Sequence, residues 1–277
     1  MGGMTSAEIA SFQSNKARAE KGDQVAQYNL GVHYAHAIGT TQDYLKAAFW
    51  YQKSATQGYP DAQYNLGACH RSGQGVEIDE AKAIYWFQKA ADQGMPTAQY
   101  NLSIVYSDGK GIEDLALAIN WLRKAATQGF APAQNNMGAS HEWGKGVEQD
   151  YTKAAIWYER AAGQGYMVAQ YNLGLCYRYG RGYPKDINKA VELFRIAAEK
   201  GHPGAQNALG EYYAQSEATV KNIIEAYALY SLAAPRSEIA RQNLDAFRKK
   251  ISKVETEFGE SRAEELKRII ESKQTGK

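Results

Sequence analysis

The sequence predicts an all-α solenoid, in which about six helix–turn–helix repeats are stacked in a row with a helical cap at each end. The motif Ala-Gln-Tyr-Asn-Leu-Gly at residues 62–67 recurs, with substitutions, at positions 26, 98, 133, 169, 205 and 240. The steps between successive copies are 36, 36, 35, 36, 36 and 35 residues. Within each period, apolar residues three or four positions apart indicate two helices. A fixed period of this length is typical of stacked supersecondary units, which usually form binding surfaces rather than enzyme clefts.

Residues 58–93 contain the elements of one repeat. Ala62, Leu66 and His70 lie on one face of a first helix. A Gly-x-Gly turn at residues 73–75 is expected to end that helix, because glycine adopts the left-handed conformation of a helix terminus at low cost. Asp79 is placed to cap a second helix. The corresponding residues expected to precede the second helices are Asp43, Asp79, Asp114, Asp150, Asp186 and Asn222.

Tryptophan recurs at one position of the second helix. The row is Trp50, Trp86, Trp121 and Trp157, followed by Leu193 and Leu229. Large aromatic side chains at a fixed helical position are expected to fill the space between neighbouring repeats. A cofactor-stacking role is the alternative.

Both ends are predicted to be helical caps. Residues 1–21 are expected to form an N-terminal capping helix with a Thr5–Glu8 capping box. The array is expected to span residues 22–235, divided at about 22–57, 58–93, 94–128, 129–164, 165–200 and 201–235. Residues 236–277 are interpreted as a partial repeat, with one helix from about Ser237 toward Phe258, and a last helix from about Ser261. Ala263, Leu266, Ile269 and Ile270 of that last helix are expected to cover the end of the stack.

Composition narrows the function classes. A net charge of +2 argues against a nucleic-acid-binding surface, and no apolar run approaches the roughly 20 residues of a membrane span. The two cysteines, Cys69 and Cys176, lie three repeats apart and are interpreted as buried apolar residues rather than a disulfide. Residues 1–4 show no secretory apolar region. The sequence leaves the compartment of this soluble protein open between the cytoplasm and the periplasm, and it also leaves the oligomeric state open.

The combined pattern closely resembles the Sel1-like repeat. It reads Ala-Gln-x-x-Leu-Gly-x-x-Tyr, then Gly-x-Gly-Val, then Asp-x-x-Lys-Ala-x-x-Trp-Tyr-x-Lys-Ala-Ala-x-Gln-Gly, and residues 62–94 and 133–165 are the best copies. The resemblance implies a right-handed superhelical solenoid, similar to tetratricopeptide arrays, with first helices lining a concave face. It also implies an adaptor that assembles protein complexes in bacterial signalling, host interaction, effector immunity or eukaryotic quality control. Residues 37–39 and 216–218 depart from the glycine pattern.

An asparagine row is the first candidate binding feature. Similar arrays hold a ligand backbone at this first-helix position, and an amide can both donate and accept hydrogen bonds. The alternative is that these amides bridge neighbouring repeats. The row comprises Asn29, Asn65, Asn101, Asn136 and Asn172.

A tyrosine row stands one position earlier, at Tyr28, Tyr64, Tyr100 and Tyr171, with Asn135 interrupting it. Exposed tyrosine is common in binding hot spots, and packing against the adjacent repeat is the alternative. Four further residues near the ends of first helices complete the predicted partner-binding set: Arg71, Trp143, Arg178 and Tyr179. Trp143 is the only tryptophan outside the tryptophan row.

Apparent catalytic motifs fail on context. The Gly-x-Gly turns, including the one at residues 109–111, follow no strand and lack the third glycine of a phosphate-binding loop. Ser107 and Lys110 have a β-lactamase-type spacing without its companion motifs. His141-Glu142 lacks the second histidine of a zinc helix. We therefore expect no metal, no cofactor and no catalytic residue.

The predicted function is a non-enzymatic scaffold or adaptor that binds another protein, or an extended peptide, in the concave groove. The alternative within binding proteins is an immunity or inhibitor protein that sequesters a secreted effector. The alternative from another class is a hydrolase acting on β-lactam or cell-wall amides.

Overall fold

The computed structural model describes residues 4–107, 112–217 and 219–275. The chain divides into two compact units, Met1–Ala133 and Gln134–Lys277, and each is described by itself. The Gly109–Gly111 turn and Lys110 lie outside the described residues. Among the residues that are described, the regular structure is helical throughout.

Helices of the first unit follow one another along the chain as packed pairs. They are α1 (Ser6–Glu20), α2 (Gln24–His36), α3 (Tyr44–Thr56), α4 (Pro60–Ser72), α5 (Glu80–Asp92), α6 (Pro96–Ser107) and α7 (Ile112–Thr127). Within this unit α2 packs on α3, α4 on α5 and α6 on α7, and the second helices α3 and α5 also pack on the next first helices, α4 and α6.

Helix α8 (Ala131–Trp143) begins at the boundary, and the second unit continues the pattern. Its further helices are α9 (Tyr151–Gly163), α10 (Met167–Tyr179), α11 (Ile187–Glu199), α12 (Pro203–Gln215), α13 (Val220–Ala233), α14 (Glu238–Arg248) and α15 (Lys253–Thr275), with a 3₁₀ turn at Ala234–Arg236. Consecutive packed helical pairs of this kind confirm the predicted all-α solenoid.

Aspartate side chains begin most second helices. The carboxylate of Asp79 accepts the backbone N–H of Lys82 at 2.9 Å, and Asp43, Asp150 and Asp186 cap their helices in the same way. The prediction is wrong for two members. Asp114 lies inside α7, which begins at Ile112. Asn222 lies inside α13, because the hydroxyl of Thr219 forms the N-cap instead.

The first helices α2, α4 and α10 end in left-handed residues, whereas α12, whose loop has lost the glycines, ends at an extended Ser216. Gly73 has φ +75° and Gly180 has φ +70°, whereas Ala37 takes the same conformation at φ +57° without being glycine. The second glycine of the turn serves close packing: a Cβ on Gly75 would overlap the carbonyl oxygen of Tyr44 at the start of the preceding second helix.

A glycine–ring contact holds each hairpin of the repeat closed. The Cβ of an alanine at Gly67 would lie 2.8 Å from a ring carbon of Phe87, so only glycine lets these two helices approach so closely. The same pairing joins Gly31 to Tyr51, Gly138 to Tyr158, Gly174 to Phe194 and Gly210 to Tyr230. In the third repeat the two positions carry Ser103 and Leu122, a larger and a smaller residue respectively.

The tryptophan row packs between repeats, as predicted. Trp121 is buried within a cluster that joins Phe87 of the preceding repeat to Leu102 of its own repeat. Trp86 packs in the same manner on a cluster that contains Tyr51 of the preceding repeat and Leu66 of its own. These two tryptophans are therefore structural, because they fill the space between neighbouring repeats.

A buried glutamine ladder, which sequence analysis missed, ties successive repeats together. The amide nitrogen of Gln63 donates to the carbonyl of Ala55 at 3.2 Å, and its oxygen accepts from the amide nitrogen of Gln93 at 2.8 Å. Equivalent amide pairs join Gln27 to Gln57, Gln99 to Gln128 and Gln134 to Gln164. Its signal in the sequence was the Gln of each Ala-Gln and Gln-Gly motif, because a buried amide needs a partner for both groups.

The ladder changes at the last two repeats. Lys200 and Arg236 occupy the second glutamine position and donate to the carbonyls of Gly165 and Gly201. The side-chain oxygens of Gln170 and Gln206 consequently have no hydrogen-bond partner among the described residues.

The two ends differ in how well they were predicted. The Thr5–Glu8 capping box of α1 is present. The predicted C-terminal boundaries are wrong: α14 ends at Arg248, and Ser261 lies in the middle of α15. A capping box between Ser252 and Glu255 starts α15 earlier, with the Ser252 N–H donating to the Glu255 carboxylate at 2.7 Å.

Candidate partner-binding surface

Tyrosines of the predicted row in the first unit lie half-buried among other rings. Tyr28 on α2 has its ring centre 5.2 Å from that of Tyr59 and 6.0 Å from that of Tyr51. Tyr64 on α4 lies 5.6 Å from Phe87. Burial raises the pKa of Tyr28, and the nearby Asp61 carboxylate adds to this. The rings therefore pack on the second helix of their own repeat, and Tyr28 also contacts the repeat that follows.

Asparagines of the first unit link neighbouring first helices. The side-chain amide of Asn65 faces Tyr28 and Tyr51 of the preceding repeat, where it opposes the rise that burial causes in the pKa of both hydroxyls. The amide nitrogen of Asn101 donates to the hydroxyl of Tyr64 at 3.2 Å and to the carbonyl of Thr97 at 2.9 Å. Both amides therefore contact the preceding repeat, as expected if the asparagine row bridges neighbouring repeats.

The first member of the row meets the capping helix instead. The amide nitrogen of Asn29 on α2 lies 3.5 Å from the side-chain oxygen of Asn15 on α1. Helix α1 thus supplies a polar partner where a preceding repeat would otherwise stand.

The second unit repeats the arrangement with asparagine in both rows. The amide nitrogen of Asn172 donates to the side-chain oxygen of Asn135 at 3.0 Å, and that of Asn243 to Asn207 at 2.9 Å. Asn136 accepts from its neighbour Asn135 at 3.3 Å. The signal for this ladder in the sequence is that Asn135 and Asn207 replace tyrosine at the position that accepts the hydrogen bond.

Tyr171, the tyrosine of the second unit's row, is held by a stacked histidine. Its ring centre lies 4.6 Å from that of His202, which caps α12 by accepting the Ala205 N–H at 3.1 Å. Burial lowers the pKa of His202, and the nearby Arg236 guanidinium lowers it further. The neutral imidazole is the form that can accept this hydrogen bond.

Arg71 is the exposed member of the predicted set in the first unit. Its guanidinium donates to the side-chain oxygen of Asn101 at 3.2 Å and stands 5.8 Å from the ring centre of Phe87. The exposed Arg71 side chain therefore connects α4 to α6 at the asparagine row. The amide nitrogen of Asn101 already donates to Tyr64 and Thr97. The guanidinium of Arg71 is therefore the group here that can donate further hydrogen bonds to a partner.

Trp143 and Tyr179 are the most exposed aromatic side chains of the predicted set, at 74% and 55%. They end α8 and α10, and an ion pair links these two ends, since Arg181 donates to Glu142 at 3.2 Å. The guanidiniums of Arg178 and Arg181 lie 5.5 and 5.2 Å from the ring centre of Tyr179. The Glu142–Arg181 ion pair thus brings together the ends of α8 and α10, and we call the residues there, Trp143, Arg178, Tyr179 and Arg181, the α8–α10 patch.

Two acidic residues that sequence analysis missed give this patch its shape. Glu142 accepts from the buried hydroxyl of Tyr158 at 2.7 Å on one oxygen and from Arg181 on the other. Glu211 of α12 pairs with Arg178 at 2.9 Å. Burial, followed by the hydrogen bond to Glu142, raises the pKa of Tyr158, so this hydroxyl stays a donor. Both arginines of the patch are consequently fixed in position.

A metal site, a serine or cysteine nucleophile and a membrane span receive little support from the described residues. No group of three or more His, Cys, Asp or Glu side chains there is arranged to hold a metal ion. The hydroxyl of Ser107 donates to the carbonyl of Ile104 at 2.9 Å. Cys69 and Cys176 are free and buried, and burial raises the pKa of the first thiol to about 11 and of the second to about 12. None of the described helices combines the length and apolarity of a membrane span.

A family model and solved structures both relate this chain to Sel1 repeat proteins. A family model described as Sel1 repeat matches residues 24–59, 60–95, 96–130, 131–166, 168–202 and 203–234. The chain is similar to a protective antigen of uropathogenic Escherichia coli with an SLR fold, at 31% identity and a TM-score of 0.86 over 98% of this chain. It spans 60% of the length of that protein.

A second solved structure is also similar. It is a Sel1 repeat protein from Oxalobacter formigenes, at 25% identity and a TM-score of 0.70, covering 83% of this chain and 97% of that one. The comparison with curated proteins found no match.

Proposed function

Because the chain belongs to the Sel1 repeat family, we propose that it is a non-enzymatic scaffold that binds a partner protein through its first helices. Protein interaction is the typical role of this family. The partner is another protein or an extended segment of one.

The α8–α10 patch is the observation that carries the proposal. Tryptophan, tyrosine and arginine are the residues most enriched in binding hot spots. Here an exposed Trp143 and an exposed Tyr179 lie beside two arginines whose positions are fixed by Glu142 and Glu211. Rigid side chains lose little conformational entropy on binding, so they contribute more of their contact energy to affinity.

The tyrosine and asparagine rows support the surface in a different way. Their hydrogen bonds between repeats hold the first helices at fixed spacing, and their partly exposed edges present polar groups to a partner. In the first unit Arg71 provides the exposed donor beside Asn101. Such a surface suits the carbonyl groups and acidic side chains of a partner segment.

The test is affinity capture followed by affinity measurement on variants. Wild type is used to capture partners from the source lysate, and the captured protein is then purified and titrated. Trp143→Ala/Tyr179→Ala is expected to weaken binding by at least about ten-fold, since hot-spot truncations cost about 2 kcal/mol or more. Circular dichroism verifies that each variant is folded.

Phe49→Ala/Tyr85→Ala is the matched control, because these aromatics are exposed at 52% and 53% but lie on second helices. The control is expected to bind as wild type does. Equal binding by the Trp143/Tyr179 variant and wild type would refute the α8–α10 patch as the partner site.

The first unit is tested separately with Arg71→Ala, which removes an exposed side chain. This variant loses one exposed hydrogen bond, to Asn101. Alanine at Asn101 would also remove the part-buried hydrogen bond to Tyr64 of the preceding repeat, so a loss of binding there would mix recognition with stability. A two-fold or greater weakening by Arg71→Ala, about 0.4 kcal/mol or more, would extend the surface to the first unit.

The non-enzymatic part of the proposal has its own test. Wild type and Ser107→Ala are compared for hydrolysis of a chromogenic β-lactam and of a cell-wall peptide. We expect no turnover by either protein. Turnover by wild type that Ser107→Ala abolishes would overturn this part of the proposal.

A further inference from the structure

A cavity of about 310 Å³ lies in the second unit beneath the C-terminal helix α15. This volume falls at the lower end of the roughly 300–1,000 Å³ typical of small-molecule sites. Helices α11, α12 and α13 form its floor, and α15 covers it. Its wall is largely apolar and includes Leu209, Leu229, Leu266, Ile269 and Ile270.

The covering helix is fixed at both ends of the cavity. Arg262 of α15 pairs with Glu225 of α13 at 2.9 Å. Farther along, Lys273 pairs with Glu199 at 2.7 Å, and the amide of Gln274 donates to the carbonyl of Lys200 at 3.2 Å. The cavity is therefore formed before any ligand arrives, which lowers the entropic cost of binding.

The charges around the cavity are unbalanced. Its two lining carboxylates, Glu199 and Glu225, are both engaged in the ion pairs described above. Two lining cations, Arg195 and Lys221, form no ion pair with any residue that the structure describes. An apolar chamber bordered by two cations without counter-charges favours a ligand with an apolar body and an anionic head.

We propose that this cavity binds a free long-chain carboxylate, with the alkyl chain among the leucines and isoleucines and the carboxylate held by Arg195 and Lys221. The site lies between α11, α12, α13 and α15, and none of the residues that line it belongs to the α8–α10 patch proposed for the protein partner. It gives the C-terminal helix a ligand-binding role in addition to covering the end of the array.

The experiment uses the full chain and the fluorescent probe 1-anilinonaphthalene-8-sulfonate, which has an apolar body and an anionic head. Dodecanoate is expected to displace the probe saturably and at least about ten-fold more tightly than dodecanol, because a charge-assisted hydrogen bond contributes more than a neutral one. Equal displacement by dodecanol, or by dodecyltrimethylammonium, would overturn the assignment of the anionic head.

Two variants separate the head from the chain. Arg195→Gln/Lys221→Gln is expected to weaken dodecanoate by about ten-fold or more while leaving dodecanol within about two-fold. Its control, Lys145→Gln/Lys185→Gln, makes the same charge change at exposed turns of the same unit and is expected to bind dodecanoate as wild type does. Unchanged dodecanoate affinity in the Arg195/Lys221 variant would contradict the proposal.

Leu266→Trp tests the apolar chamber by filling it. Loss of both dodecanoate and dodecanol binding is expected, with circular dichroism confirming the helical content. Retained dodecanoate binding by this variant would place the ligand elsewhere and refute the site. Co-sedimentation with phosphatidylglycerol vesicles, without displacement of the probe by dodecanoate, would assign the cations to a membrane surface and would also refute it.

Discussion

Replacing Gly67 by alanine is the sharpest test of how the hairpins are held together. The new Cβ would lie 2.8 and 2.9 Å from two ring carbons of Phe87 and 3.1 Å from the carbonyl oxygen of Ala83. Optimal carbon–carbon contacts are about 3.5–4.0 Å. The ring or the whole helix α5 must therefore shift by several tenths of an ångström or more, and Phe87 is almost completely buried.

The expected magnitude follows from two opposing effects. Overpacking a well-packed core costs about 1–3 kcal/mol. Alanine in a helix gains about 0.5–1 kcal/mol over glycine. We expect Gly67→Ala to lower the free energy of unfolding by about 1–2 kcal/mol. Gly163→Ala is the control, because its Cβ would meet no heavy atom within 4 Å, and it is expected to be neutral or to stabilise by about 0.5 kcal/mol.

The third repeat suggests how the overlap can be relieved. It carries Ser103 at the glycine position and Leu122 at the aromatic position. Gly67→Ser/Phe87→Leu is therefore expected to be more stable than the sum of its single variants predicts, by about 0.5 kcal/mol or more. Equilibrium urea unfolding followed by circular dichroism measures wild type, Gly67→Ala, Gly163→Ala, the double variant and its two single variants. Wild-type stability of Gly67→Ala, or strict additivity in the double variant, would refute this reasoning.

Three further predictions concern the turns, caps and thiols. Ala37→Gly is expected to raise the free energy of unfolding by about 0.5–1 kcal/mol, because the left-handed conformation costs an L-residue about 1–2 kcal/mol and glycine returns part of that as entropy; urea unfolding checks it. The pKa of Asp79 is lowered, first by the Lys82 backbone N–H and then by the Lys82 side chain, so its contribution is present above the unfolded value of about 3.9 and is lost as pH falls through the lowered pKa. Between pH 7 and pH 3, Asp79→Asn should therefore lose less stability than wild type, and an equal loss would contradict this. Cys69 and Cys176 should react with a disulfide reagent at neutral pH only after urea unfolds the chain, because burial raises the pKa of both thiols; rapid reaction of the folded protein would contradict their burial.

Periodicity predicted the hairpins because their signals lie within one repeat. The caps at Asp43 and Asp79 and the turn at Gly73 depend on residues a few positions away. The failures occurred where the local signal had a competitor. Thr219 replaced Asn222 as a cap, and the capping box at Ser252 starts the last helix before Ser261, where sequence analysis began it.

The candidate site was harder to predict because its geometry depends on contacts between repeats. Sequence spacing put Asn65 and Asn101 in one row, but it could not tell whether their amides face a ligand or a neighbouring repeat. The α8–α10 patch depends on the ion pair between Glu142 and Arg181, which are 39 residues apart. Trp143 could be singled out from the sequence alone because it lies outside the tryptophan row.

The most direct test of the proposed scaffold role is the ratio of two partner affinities, measured by titration calorimetry with the captured partner. One variant is Trp143→Ala/Tyr179→Ala and the other is Phe49→Ala/Tyr85→Ala. The account predicts that the first binds at least about ten-fold more weakly than the second, since hot-spot losses of about 2 kcal/mol are confined to the contact surface. Equal affinities, or a larger loss in the Phe49/Tyr85 variant, would contradict binding through the first helices.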